Sequence, residues 1–443
     1  MMTVKHIAYP RNCEAHSISP WPRGVSCNIK PRRQNRDSTA NQTKRTGFMT
    51  DQDVATLSRS VERDLRLDLF RGAGLWMIFL DHIPHDVVAW LTLRNYGFSD
   101  AAEFFVFISG YLAGFIYGPI IRGGRFLAAT KRLLMRAGQM YVAHIMLFLV
   151  FTAQIARTVR KFDNPMYEDE FNVHNFLEHP DILIGQALTL RYKPVNLDVL
   201  PLYISLVAAA PLILWCLVRR PNLTLLGSAI LYVLARWFNW NLASYPPGTT
   251  WYFNPFAWQL MFVFAAWCGV GGVAKLQGLI QSRVVLAVAL AWIVFALLIV
   301  TTWHSGFLES LVPKWMIKVI YPIDKTDLDM LRFTHFLALA VVVARYIPRN
   351  WAPLTSRWTR PLILCGQYSL PIFCFGVFLS FGAHWILTQY SKGAGEQLLV
   401  SAAGILIMVA LAWLLDRTAK IPNLFVDASG LKLSEATNKP GVA

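Results

Sequence analysis

Long runs of nearly continuous apolar residues alternate along this chain with short polar breaks. Ten runs stand out, at 67–90, 100–120, 131–155, 198–218, 222–238, 254–275, 283–303, 330–347, 364–388 and 396–416. A helix needs about 20 mostly apolar residues to cross a bilayer, and these runs have that length. A transmembrane barrel would instead show short segments of alternating polarity. The pattern predicts an all-α integral membrane protein, a bundle of about ten transmembrane helices.

Composition sharpens this reading: 55% of the residues are hydrophobic and 15% charged, which excludes an ordinary soluble domain. The formal net charge is +16, and part of it precedes the first run, where residues 1–48 hold nine Lys or Arg against Glu14 and Asp37. That stretch lacks the apolar core of a signal peptide. Residues 1–63 are expected to be a basic, disordered cytoplasmic tail lying on anionic membrane lipid, with no role for nucleic acid. Residues 64–417 then form the membrane domain, and 418–443 a short cytoplasmic tail.

Lys and Arg between the runs fall on alternate sides. One side collects Arg122, Arg125, Lys131, Arg132, Arg136, Arg219, Arg220, Lys275, Arg283, Arg345, Arg349, Arg357 and Arg360, while the short loops of the other offer Arg94 and Lys392. The positive-inside rule therefore predicts that both termini are cytoplasmic. Two long segments, near 156–197 and 304–329, and the aromatic loop NWNLASYPPGTTWYFNP face outward, where their rings suit either the membrane interface or stacking on sugars. The cysteines show neither a disulfide framework nor a metal-ligand spacing, so neither a metal nor a permanently bound cofactor is expected.

The first run carries charge. His82 lies eleven positions after Arg71, about 16 Å of rise and about three full turns, so both lie on one helix face. Asp68, three positions before Arg71, shares that face and can pair with it; Asp81 adjoins His82 and can orient its imidazole or raise its basicity. Ionisable groups at membrane depth are functional candidates, and His82 is the strongest. Arg332 and His335, spaced i, i+3 on the eighth run, form a second candidate pocket. Glu103 opens the second run, where the helix dipole favours an acid. Gly110, Gly114 and Gly118 recur every four residues and predict a close helix approach. In LDVLPLY, Asp198 lies where an acceptor would enter, and Tyr203 reads as packing. His144 reads as a hydrogen-bonded bundle residue.

Arg71-x10-His82, followed by EFFVFISGYLAGFIYG at 103–118 and RFLAATKRLLMRAGQMY at 125–141, resembles the membrane acyltransferase-3 superfamily. The segments NLDVLPLYI, NPFAWQLMFVFAAWCG, LRFTHFLALAVVVARY and CGQYSLPIFCFGVFLS look like the OpgC proteins, which succinylate osmoregulated periplasmic glucans, and the similarity runs from about residue 64 to 417. The resemblance implies a bacterial inner-membrane enzyme that moves a succinyl group from succinyl-CoA, or another acyl-CoA, to a periplasmic glucan. It suggests His82 as base or transient acyl carrier, with Asp81, Asp68 and Arg71 shaping the local charge. Arg332 would hold the succinyl carboxylate, with His335, Glu103 and Asp198 beside the substrates, and Arg125, Arg132 and Arg136 would meet the phosphates of coenzyme A. A transporter or flippase using the same charges as a relay is the alternative class, although no internal repeat supports it.

Overall fold

The computed structural model describes residues 64–420 apart from 163, 165, 305, 311, 391 and 392, so the expected N-terminal tail and most of the C-terminal one lie outside the described residues. Among the described residues the chain is helical, without a β-strand. The main helices are α1 (Leu65–Asp81), α2 (Ala101–Arg122), α3 (Phe126–Phe162), α4 (Val199–Arg219), α5 (Pro221–Trp237) and α6 (Pro255–Trp267). They continue with α7 (Val273–Gln281), α8 (Arg283–Thr302), α9 (Met330–Tyr346), α10 (Arg360–Gln367), α11 (Ser369–Gln389) and α12 (Ala394–Lys420).

Seven segments are long and apolar enough to cross a membrane: α2, α3, α4, α6 with α7, α8, α11 and α12. The other three expected spans, α1, α5 and α9, are helices of 17 residues each. That is about 26 Å of rise, the lower limit for a hydrocarbon core of about 30 Å.

Three breaks depart from the predicted runs. The first run stops at Asp81, because Pro84 lacks an N–H and steers its predecessor away from helix. His85 then adopts a φ of 61°, and two short 3₁₀ turns, Val87–Leu91 and Leu93–Asn95, lead back to α2. In the sixth run a π turn at Cys268–Gly272 divides α6 from α7 around Gly271, whose φ of 120° suits glycine alone. The ninth run is divided at Tyr368 into α10 and α11.

Small residues set the tightest crossings. A Cβ on Gly110 or Gly114 would collide with the backbone carbonyls of Phe262 and Ala266, so α2 lies directly against α6, as the four-residue spacing predicts. Gly72 of α1 faces the Leu362 carbonyl, and Gly366 of α10 faces that of Asp68. Meanwhile α8 exposes Val284, Val288 and Leu298, and α12 exposes Leu399, Leu406 and Leu414. Such apolar faces are expected against lipid, not water.

The buried side chains form two large clusters. One joins parts of α2 to α6 with α9; the other joins α1, the second half of α3, the segment after it, and α10 to α12. Phe105, Val199 and Leu370 pack against both, and all three line a cavity at this seam.

Candidate active site

The seam cavity has a volume of about 720 Å³. Arg71, Ile78 and His82 all line it, which puts one face of α1 along its wall, as their spacing predicts. With Arg71 and His82 about 16 Å apart along the helix, the cavity has two ends. Asp81, Arg94 and Lys325 lie with His82, and Ser109, Arg136, Met140, Asp198, Val207, Tyr252 and Trp303 also line the cavity.

His82 caps the C-terminus of α1, and its Nδ1 is buried without a hydrogen-bond partner. Asp81 does not supply one. Its carboxylate accepts from the Thr92 hydroxyl at 2.7 Å and lies 4.0 Å from Arg94, so the pairing of Asp81 with His82 expected from their adjacency is replaced by contacts to the returning loop. The charges whose fields reach His82 are Lys325, Arg94 and Asp100.

Beside His82 stands a network of four charges. Asp100 caps α2 and, with Glu103, completes a capping box in which the Asp100 N–H donates to Glu103 at 2.9 Å. Arg332 Nε donates to Glu103 Oε1 at 2.8 Å and its Nη2 to Asp100 Oδ2 at 3.1 Å, while Lys325 Nζ donates to that same Asp100 oxygen at 2.6 Å. Burial opposes the charge on both Asp100 and Lys325, yet their neighbours prevail. Lys325 and Arg332 hold the Asp100 carboxyl well below the usual range, and Asp100 holds the Lys325 ammonium above its own.

Lys325 is fixed through its backbone. The Trp258 indole donates to the Lys325 carbonyl at 3.0 Å, and the Asn254 N–H donates to the Thr326 carbonyl at 3.0 Å. Trp258 is itself fully buried on α6, so this loop is held by the core. One turn beyond Arg332, the His335 ring packs against Gly97, and its Nδ1 is 2.7 Å from the Ser99 hydroxyl.

Of the residues singled out from sequence, Arg71, Asp81, His82, Arg136, Asp198 and Arg332 line the cavity. Glu103, fully buried, and His335 stand directly behind its wall. Asp68 is buried with its backbone against α10, and Arg125 and Arg132 lie off the cavity. His144 is buried on α3, with neither ring nitrogen bonded, contrary to its expected place in a hydrogen-bonded bundle. Lys325 was not singled out from sequence, and its signal is faint: a lone lysine in the acidic stretch DKTDLD outside the predicted runs.

Among the described residues no group of three or more His, Cys, Asp or Glu side chains is arranged to hold a metal. A family model described as OpgC protein matches residues 63–420. No match was found among the curated proteins or the solved structures.

Proposed function

The chain belongs to the OpgC family, and from that premise we propose that it is a membrane O-acyltransferase moving a succinyl group from succinyl-CoA to hydroxyls of osmoregulated periplasmic glucans. In this reading all ten helical runs cross the bacterial inner membrane, both termini are cytoplasmic, and the Arg71 end of the cavity faces inward. The observation that carries the proposal is the cavity itself, which reaches from two guanidinium groups, Arg71 and Arg136, to a histidine on the same helix face as Arg71.

The chemistry needs a base for the hydroxyl proton and donors for the oxygen that becomes negative. A glucan hydroxyl attacks the thioester carbonyl carbon and His82 takes its proton. The new C–O bond forms, the C–S bond breaks, and the leaving sulfur of coenzyme A recovers the proton from His82. In the alternative sequence His82 accepts the acyl group on a ring nitrogen first and the glucan hydroxyl displaces it. No resident cofactor is needed by either route.

Arg71 and Arg136 suit an anionic donor arriving from the cytoplasm, with Arg136 taking the part foreseen for the basic segment of α3. Arg332, already shared by two carboxylates, fixes the opposite wall, and the more loosely paired Arg94 is the freer cation for the succinyl carboxylate. Tyr252 and Trp303 on the cavity wall offer rings on which a sugar can stack. Purified protein in proteoliposomes, given labelled succinyl-CoA and glucan, is expected to transfer label; a His82→Ala variant of equal abundance and melting behaviour is expected to transfer none. Full transfer by that variant would remove His82 from the reaction.

A further inference from the structure

Among the described residues four tyrosines are buried: Tyr167, Tyr192, Tyr203 and Tyr232. Three have a partner for the hydroxyl. Tyr192 donates to the Asn172 carbonyl at 2.7 Å, Tyr232 donates to the Leu328 carbonyl at 2.9 Å, and Tyr167 accepts from Gln389 at 3.2 Å. The Tyr203 hydroxyl is buried with no partner in the protein. Leaving a buried hydroxyl unbonded costs free energy, and natural structures rarely do so without a reason.

Its surroundings supply one. Tyr203 lies on the first turns of α4, is 8% exposed, and lines the seam cavity along with Arg71 and His82. The charges whose fields reach its hydroxyl are Arg71 and Glu103, and Glu103 is committed to Arg332 at 2.7 Å. The Tyr203 side chain therefore forms part of the cavity wall, its buried hydroxyl unpartnered, with the Arg71 cation acting on it and the neighbouring carboxylate already paired. Such a setting favours an oxygen on which negative charge develops, and it is ready before any substrate arrives.

We propose that the Tyr203 hydroxyl is a catalytic hydrogen-bond donor, holding the carbonyl oxygen of the acyl group as that oxygen becomes negative during transfer. The inference rests on the acyltransferase reading and adds to it a residue whose sequence context suggested only packing. Tyr203 keeps its proton throughout: it donates a hydrogen bond to the oxyanion, and the proton that moves is the one exchanged through His82.

The test is Tyr203→Phe, which removes one oxygen atom and leaves the ring. Steady-state transfer is measured against donor concentration, together with the thermal unfolding midpoint, for the full chain in proteoliposomes. The expected result is a fall in kcat of roughly 10²–10³-fold, the range for loss of one oxyanion donor. Little change is expected in the donor KM, and the midpoint should equal or exceed that of the wild type, because the lost hydroxyl had no partner in the protein.

An unchanged kcat overturns the proposal. A rise in KM alone overturns it as well, since the hydroxyl would then bind the ground state. A lowered midpoint or failure to fold reveals a structural bond and overturns it too. If the wild type itself transfers no acyl group, the acyltransferase reading fails first and takes this inference with it.

Discussion

Arg332 shows how one residue can be conspicuous in the sequence and still hold its place for a different reason. A guanidinium in an apolar run is a candidate ligand for a carboxylate, and the carboxylates it meets are the protein's own: Glu103 and Asp100. Removing one partner of a buried ion pair strands the other charge, which costs roughly 3–5 kcal/mol. Arg332→Ala is therefore expected to lower the yield and melting temperature of folded protein sharply. The double variant Arg332→Met with Glu103→Gln should recover much of that loss, because no unpaired charge stays buried. Equal melting temperatures for wild type and Arg332→Ala would show that the network carries no such energy. The same residues mark the limit of sequence reading. Arg71 and His82 were legible because both sit on one helix, where spacing fixes geometry. Lys325 was not, because its position depends on Trp258 and Asn254, 67 and 71 positions away in the chain and legible only once α6 is packed.

At the scale of elements, periodicity predicted where helices lie better than where they stop. Pro84 was visible in the sequence, yet the apolar residues after it extended the first run to residue 90, nine positions beyond the last helical residue, Asp81. The glycines at 110 and 114 announced the close approach of α2 and α6 through their spacing. The crossing of α1 with α10 was silent, since Gly72 and Gly366 are single glycines on separate helices and only their meeting gives them a role. That crossing sets the angle at which α1 presents Arg71 and His82 to the cavity. Gly72→Val, whose Cβ would strike the Leu362 carbonyl, must push the two helices apart. It should destabilise by at least the roughly 1–3 kcal/mol typical of overpacking and reduce transfer with it. Gly138→Ala on α3, where a Cβ meets nothing within 4 Å, should be neutral or stabilising by about 1 kcal/mol. Thermal unfolding of both variants checks the contrast, and equal behaviour would mean that the α1–α10 contact is not tight.

For the whole molecule, hydropathy was enough to establish a helical membrane protein and the general order of its helices. It did not reveal that the buried side chains separate into two clusters, because that division depends on which faces of α3 and α4 turn toward which neighbours. The cavity follows from that division. Phe105, Val199 and Leu370 touch both clusters without closing the gap between them, and the charged face of α1 borders the space that remains. The 17-residue helices α1, α5 and α9 fall short of a full bilayer crossing by a few ångströms, and α1 ends at Asp81, beside His82 and a loop whose Arg94, Ser99 and Asp100 line the cavity. A short helix that stops at a cavity lined by charged side chains can present His82 to a polar acceptor without carrying it through hydrocarbon.

Mass spectrometry of periplasmic glucans tests the central claim most directly. It compares cells lacking the gene with cells complemented by wild type or by His82→Ala, at matched levels of protein in the membrane. Succinyl substituents should be absent without the gene, restored by wild type and absent with His82→Ala. Identical substituents in all three strains would contradict the account, removing glucan succinylation as the activity and His82 as its centre.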